Sequence, residues 1–402
     1  MYDAIIIGSR CAGAATALQL ARRGRRVLVL DRSMFPSDVL SGHTIQAAGV
    51  ARLARWGLLD RVRATGVPFA SEVRFDFGDF VLRGSPVPIE GIDAAVCIRR
   101  TVIDPILADA AEEAGAEIRL GTTVTGLLRD GDRVVGVAGH DGNGEPFEAR
   151  AAIVIGADGA HSFVARAVEA PAYHVRPAST ITIYSYWRGM DLDGIELYAR
   201  PGRFFIAAPT NDGLTFVAQQ VPIAEDGRYR GRVAEAFGDT LREVEHLADR
   251  VAAGDRAERF RFARIEDSFF RQPAGPGWAL VGDAGYHKDP ITAQGMVDAF
   301  RDAELLAGAL DAGLEGDLSA ELRGYQRARD ESALPMYELT CGLADLEAPP
   351  PPDVLQLLAA LQGQPEHIAR FLGVIAGSVA VADFYGPSSV AAVMAGAAAT
   401  AA

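Results

Sequence analysis

The sequence predicts an α/β (α+β) fold: a parallel sheet covered by helices, an inserted antiparallel β-sheet, and a helical extension at the C-terminal end. Three observations predict it. Short apolar runs at 4–7, 27–30, 152–155 and 278–281 each stop at a glycine or an acid, as strands buried on both faces do. In the middle of the chain, segments at 180–187, 204–206 and 214–217 alternate at strand period. From Met296 onward the apolar spacing turns helical.

At 402 residues the chain is long enough for two or three units. Hydrophobic residues at 49% and charged residues at 23% exclude wholesale disorder. A formal charge of −14 argues against nucleic acid and anionic lipid as partners. The three cysteines, Cys11, Cys97 and Cys341, form neither a disulfide framework nor a metal cluster, so no metal is expected. Asp3 stands where a secretory signal needs positive charge. The longest apolar stretch, 371–382, falls short of the roughly 20 residues of a membrane span. A soluble, reduced, cytoplasmic protein is the expectation.

Taken in order, the run at 4–7 is a strand ended by Gly8, a helix runs over 13–23 to Gly24, and the run at 27–30 ends at Asp31. Strand, turn, helix and strand make a βαβ unit, which aims backbone N–H groups and a helix N-terminus at a pyrophosphate. Asp31 stands where an acid holds an adenosine ribose hydroxyl. The G-x-G-x-x-G pattern reads Gly8-Ser9-Arg10-Cys11-Ala12-Gly13, so Arg10 replaces the middle glycine. Either its side chain points away from the phosphates, or it adds a cation beside them. The glycines at 139–144 lie between alternating segments and predict a hairpin turn. The run at 152–155 leads into Gly156-Ala157-Asp158-Gly159. The run at 278–281 leads into Gly282-Asp283-Ala284-Gly285-Tyr286-His287, then Pro290 and Gln294-Gly295-Met296. Acids at the C-terminal ends of strands sit where open α/β sheets bind ligands.

In this order, the three motifs resemble those of the flavoprotein monooxygenase family with the para-hydroxybenzoate hydroxylase fold. Cys97-Ile98-Arg99-Arg100 with Asp104 is similar to that family's strand-to-helix segment, and the spacing assigns Arg100 to the flavin phosphate. The resemblance covers about residues 1–330. It implies a glutathione-reductase-type Rossmann FAD domain with a β-meander at 1–72, 98–168 and 266–330. A substrate-binding β-sheet domain would take 73–97 and 169–265, and a helical extension 331–402. It further implies one FAD, NADH or NADPH as a transient reductant, and O2 as oxidant. A flavin C4a-hydroperoxide would hydroxylate an aromatic or polyketide-like small molecule. Gly8, Arg10, Cys11, Ala12, Gly13, Asp31, Arg32, Arg100, Val124, Asp158, Gly282 and Asp283 would hold the cofactor, as would Pro290, Gly295 and Met296 near the ring. His43, in Leu40-Ser41-Gly42-His43, joins this set and raises covalent flavin attachment as an alternative.

Among reacting groups the candidates are His287, Pro290 and Tyr184. Tyr186, Arg188, Tyr198 and Arg203 join Tyr184 as residues that orient a phenol or carboxylate. His161 is expected to cap or pack, and Lys288, the sole lysine, to be solvated. Pro349-Pro350-Pro351-Pro352 reads as a stiff linker. A helix over 354–361 is expected to end or kink at Pro365, and the tail from Ala391 is alanine-rich. The C-terminal segment either covers the substrate side or joins a homodimer interface. Three other readings share the fold. Flavin-dependent halogenases need a lysine after the βαβ start and a Trp-x-Trp segment, both absent here. Geranylgeranyl reductases saturate C=C bonds without oxygen. Rab GDP-dissociation inhibitors bind a lipidated partner without flavin.

Overall fold

In chain order, the computed structural model, which describes residues 1–37 and 43–401, begins with β1 (Tyr2–Ile7), α1 (Cys11–Ala21) and β2 (Val27–Asp31). Then come α2 (Ala47–Arg55), β3 (Val73–Asp76), β4 (Val81–Gly84) and α3 (Arg100–Glu113). β5 (Glu117–Leu120), β6 (Thr123–Asp130), β7 (Arg133–His140) and β8 (Pro146–Gly156) lead to the short α4 (Phe163–Ala167). The second sheet brings β9 (Thr180–Arg188), β10 (Ile195–Arg200), β11 (Arg203–Pro209) and β12 (Thr215–Pro222). The chain returns through β13 (Trp278–Leu280) to α5 (Gly295–Gly313) and α6 (Leu318–Ala344). It closes with α7 (Pro352–Ala360), α8 (Pro365–Ala376) and α9 (Pro387–Ala401).

The first sheet runs β13-β8-β1-β2-β5, all parallel. Its strands carry almost continuous apolar side chains because helices and the meander cover both faces. α1 packs between α3 and α5 with nearly every residue buried. That explains its run of alanines, since a helix enclosed on all sides needs small apolar residues all round. One strand serves two purposes. The first half of β8 pairs antiparallel with β7, and from Ala151 onward it pairs parallel with β1. The predicted hairpin turn lies between β7 and β8, at 141–145.

The second sheet, β9-β12-β11-β10-β3-β4, is antiparallel except where β10 meets β3. Its period-two alternation separates two faces. Ile181, Ile183, Trp187, Tyr198 and Phe205 pack under the helices within 226–253. Tyr184, Tyr186, Leu214, Phe216 and Ala218 face the other way, with Ala70, Ala95 and Cys97.

Two expectations are corrected. α1 starts at Cys11, not Gly13, because Arg10 is the extended residue before it. Pro365 opens α8 rather than kinking the preceding helix, its missing N–H costing nothing in a first turn. α6 runs unbroken across residue 330. The tail from Ala391 is helical, within α9. Of the C-terminal segment, Leu358, Leu361, Phe371 and Leu372 pack with Leu82 and Phe75 of the second sheet. Among the described residues no helix is long and apolar enough to cross a membrane.

Candidate active site

The tips of β1, β8 and β13 bring the three glycine motifs into one place, and the glycines are there because nothing larger fits. Gly8 has φ +102°, and a Cβ on it would lie 2.4 Å from the Ala157 carbonyl oxygen. On Gly13 a Cβ would lie 1.8 Å from the Gly8 carbonyl oxygen. Gly282, at φ +60°, would meet the Ala12 methyl at 2.7 Å. The βαβ turn, the Asp158 loop and the Asp283 loop therefore touch through backbone, forming a shallow cradle open above α1.

Charge gathers at the same tip. Asp104, on α3 and fully buried, binds Arg10 (3.0 Å), Arg100 (2.9 Å) and the Cys11 thiol (3.3 Å). Arg10 also donates to the Ser37 hydroxyl at 2.5 Å. The Arg10 side chain turns toward α3 and Asp104. Two guanidiniums share the Asp104 carboxylate beside the α1 N-terminus, where their remaining N–H groups suit a pyrophosphate. Asp31 accepts from the Ser9 N–H (2.8 Å) and hydroxyl (2.9 Å) and, at its other oxygen, from the Ser33 N–H (2.8 Å). That second oxygen keeps capacity for a further donor. Arg32 beside it is exposed, and Val124 is half-buried in the meander.

Asp158 caps α4, accepting from the Phe163 N–H at 2.6 Å. Burial pushes its pKa up, against the hydrogen bonds it accepts. Its carboxylate therefore serves the local turn, while the neighbouring Ala157 makes the contact with Gly8. His161 corrects an expectation: it is exposed and paired with Glu266 at 3.2 Å, and Ser162 provides the cap.

The Asp283 loop is held from three sides. Tyr325 on α6 donates to the Leu280 carbonyl at 2.9 Å, and the fully buried Arg329 donates to the Gly285 carbonyl at 3.1 Å. Asp289 reaches the second sheet, accepting from Thr180 and from Gln220 (3.1 Å), and its carboxylate caps the turn that begins with Pro290. Burial raises its pKa, against those bonds. Asp283 is half open along the cleft, with His287 at 3.6 Å, an ion-pair distance rather than a hydrogen bond. Burial opposes the Asp283 charge, but His287, Lys288 and Arg100 outweigh it and hold the carboxyl below its usual range. For His287, burial opposes protonation, but Asp283 and then Asp289 outweigh it and raise the pKa.

Lys288 overturns the expectation of a solvated loop residue. It is 7% exposed, donates to the Tyr286 hydroxyl at 2.8 Å and pairs with Asp298, which also holds Arg301 at 2.7 Å. This network anchors the first turns of α5 from behind. At the front, Gly295 is exposed with open space where a Cβ would be, and no side chain caps the helix. Met296 is buried just after it. An uncapped N-terminus facing open space favours negative charge there by about 0.3–1 kcal/mol.

The inner face of the second sheet closes over this region. His43, fully buried at φ +54°, shares a 2.6 Å hydrogen bond with the Tyr186 hydroxyl and packs edge-on against Tyr184 and Phe216. Burial, then the charges of Arg100, Arg99 and Arg261, lower its pKa to about 3, so the ring is neutral. Residues 40–42 of the loop read with it lie outside the described residues. Of the five residues expected to orient substrate, Tyr184 and Tyr186 alone are on this face. Tyr198 is buried on the opposite face with Glu196 and Arg250, Arg203 is paired with Glu225, and Arg188 is exposed.

Beside the 290–293 turn lies a mostly apolar cavity of about 60 Å³. Phe75, Leu197 and Ile206 from the second sheet, Ala293 from the turn, and Phe371 and Leu372 from α8 line it. Gln294 fastens α8 in place by donating to the Ile375 carbonyl at 2.6 Å. Sequence reasoning gave no role to Ser9, Asp289 or Arg329, and named Asp104 only as the spacing partner of Arg100. A glycine cradle, paired arginines, a free Asp31 acceptor and an uncapped helix are together what an extended dinucleotide needs.

Comparison with known proteins agrees with that fit. The family model described as "FAD binding domain" matches residues 1–338, so the chain belongs to that family. A digeranylgeranylglycerophospholipid reductase of Methanosarcina acetivorans is 28% identical over 80% of this chain and 78% of its own. A 12-dehydrotetracycline 5-monooxygenase/anhydrotetracycline 6-monooxygenase of Streptomyces rimosus is 26% identical over 93% of this chain and 76% of its own. The solved flavin-dependent brominase Bmp2 superposes with a TM-score of 0.82 over 100% of this chain and 99% of that one, at 19% identity, which shows a shared fold.

Proposed function

We propose that this FAD-binding-domain protein is an NAD(P)H- and O2-dependent monooxygenase that hydroxylates an apolar aromatic or polyketide-like molecule. The observation that carries the reading is the apolar cavity beside the 290–293 turn, where the cofactor-cradle loop, the inner face of the second sheet and α8 meet. The tetracycline monooxygenase, which aligns over 93% of this chain, supports it.

In this reading, residues 1–72, 98–168 and 266–330 form the FAD domain, with 73–97 and 169–265 over it and 331–402 closing the substrate side. Gly8, Cys11, Ala12 and Gly13 let the FAD pyrophosphate approach the α1 N-terminus, with Arg10 and Arg100 supplying positive charge. Asp31, with Arg32 beside it, takes the adenosine ribose, and Asp283, Gly282 and Val124 flank the remainder. Asp158 acts at one remove, holding the turn that seats Gly8. Bound FAD supplies hydride acceptance and oxygen activation. The chain supplies position, dryness and charge. His287, whose pKa Asp283 raises, and the uncapped start of α5 at Gly295-Met296 favour negative charge where it develops. Pro290, clamped by Asp289, sets the distance between the turn and the cavity. Tyr184 lines the inner face as a positioning residue, and the apolar wall of α8 excludes water.

A second reading is reduction of C=C bonds in a hydrophobic substrate, favoured by the archaeal reductase at 28% identity and by the apolar cavity. Oxygen separates the two. Purified yellow protein, assayed for NADH and NADPH oxidation with phenols, polyketide-like aromatics and isoprenoids, should consume one O2 per product for the accepted aromatic. Turnover that proceeds without oxygen uptake establishes the reductase reading instead.

A further inference from the structure

The cavity beside the 290–293 turn is lined unevenly. Its sheet and α8 walls are apolar, but the lining also includes Gln46, Ser71 and Asp93. Asp93 is the single ionisable side chain among the lining residues, which include no arginine, lysine or histidine. Within the described residues, no hydrogen bond or ion pair engages the side chains of Gln46, Ser71 or Asp93, although Asp104 and Asp289 nearby have partners. Gln46 and Ser71 are half-buried, as is Asp93. Three polar side chains without protein partners, lining an otherwise apolar cavity, suit a molecule that is apolar at one end and donates hydrogen bonds at the other.

We propose that Asp93 is a specificity-determining residue, and that the substrate is an apolar ring compound carrying a protonated amine seated against Asp93, with Gln46 and Ser71 completing the contact. The proposal rests on the monooxygenase reading, in which this cavity receives the substrate. Charge decides the class. A carboxylate with no cation beside it repels an anionic ligand, accepts from a neutral hydroxyl, and attracts an ammonium most strongly. Carboxylate-bearing aromatics are therefore rejected.

The test uses the full-length protein, supplied with FAD, and three probes of one shape: 2-naphthylmethylamine, 2-naphthalenemethanol and 2-naphthoate, titrated by calorimetry. The amine should bind about tenfold tighter than the alcohol, as a charge-assisted contact implies, and naphthoate weakest of all. Asp93→Asn should bring amine and alcohol together and improve naphthoate. Ala376→Trp, which fills the cavity from α8, should weaken all three alike. Equal binding of amine and alcohol, tightest binding by naphthoate, or an Asp93→Asn variant that keeps the amine preference each overturns the proposal. So does failure of all three probes to bind. Calorimetry reads the probes whether or not flavin is bound. Protein that never takes up FAD would therefore sink the monooxygenase reading while leaving the charge preference measurable.

Discussion

The cradle over α1 and the cavity under α8 lie on either side of the 290–293 turn and are built from opposite materials. The cradle is close backbone and charge: Gly13 against Gly8, Gly8 against Ala157 and Gly282 against Ala12, with Asp104 holding two arginines. The cavity is apolar side chain, contributed by a sheet and a helix far apart in sequence. A phosphate-bearing ligand needs N–H groups at close range, and only residues without a Cβ allow that approach. An apolar ligand needs only shape and dryness, which many sequences supply equally well. Fixed chemistry on one side of the turn and replaceable chemistry on the other is what lets one cofactor serve different substrates.

Gly13→Val strikes the cradle hardest. Its side chain would overlap the Gly8 carbonyl, so helix and strand must separate. A loss of about 3 kcal/mol or more and colourless purified protein are expected, read by thermal melting and flavin absorbance. Normal FAD content would break the contrast drawn here.

Asp104→Ala comes next. Removing a fully buried carboxylate leaves Arg10 and Arg100 without their anion, a change that costs about 3 kcal/mol. Urea unfolding should show it, with weakened FAD binding. An unchanged midpoint would mean that water already screens the pair.

On the inner face of the second sheet the expected effects are smaller. Tyr186→Phe deletes the bond to His43 and should cost about 1 kcal/mol with FAD content intact. Loss of flavin from this variant would show that the two regions are coupled more tightly than their chemistry suggests.

The smallest effect is in pH dependence. Because the His287 pKa is raised, its contribution is complete below the ordinary histidine range and fades as pH rises through the elevated folded value. Asp283 runs the other way: its lowered pKa gives a contribution present above the ordinary carboxyl range and lost as pH falls through the folded value. The pair therefore stabilises between those limits. His287→Gln should flatten the alkaline fall in melting temperature; a fall that persists would assign the titration to another group.

Much of the cradle was legible because its information is local. Gly8, Gly13, Asp31 and the short apolar runs sit at spacings that one turn of backbone dictates. The face assignments of the second sheet were half legible. Alternation showed that Tyr184 lies on a strand, but not that it looks inward, and it marked no strand at Tyr198, which packs on the opposite face under helices. Lys288 was misread for a related reason. In a glycine-bounded loop a lysine is ordinarily solvated, and its anion, Asp298, lies on the next helix at a place no period predicts.

By itself the sequence determined that three strand tips carry glycines and acids in the order a dinucleotide requires, since steric rules at a Cβ act over a few residues. Tertiary structure alone decided which side chains meet across long separations: Asp104 with Arg10, Asp289 with Thr180, and α8 over the second sheet. Contact of that kind depends on where whole elements dock, and docking is driven by burial of apolar area that has no direction and leaves no motif.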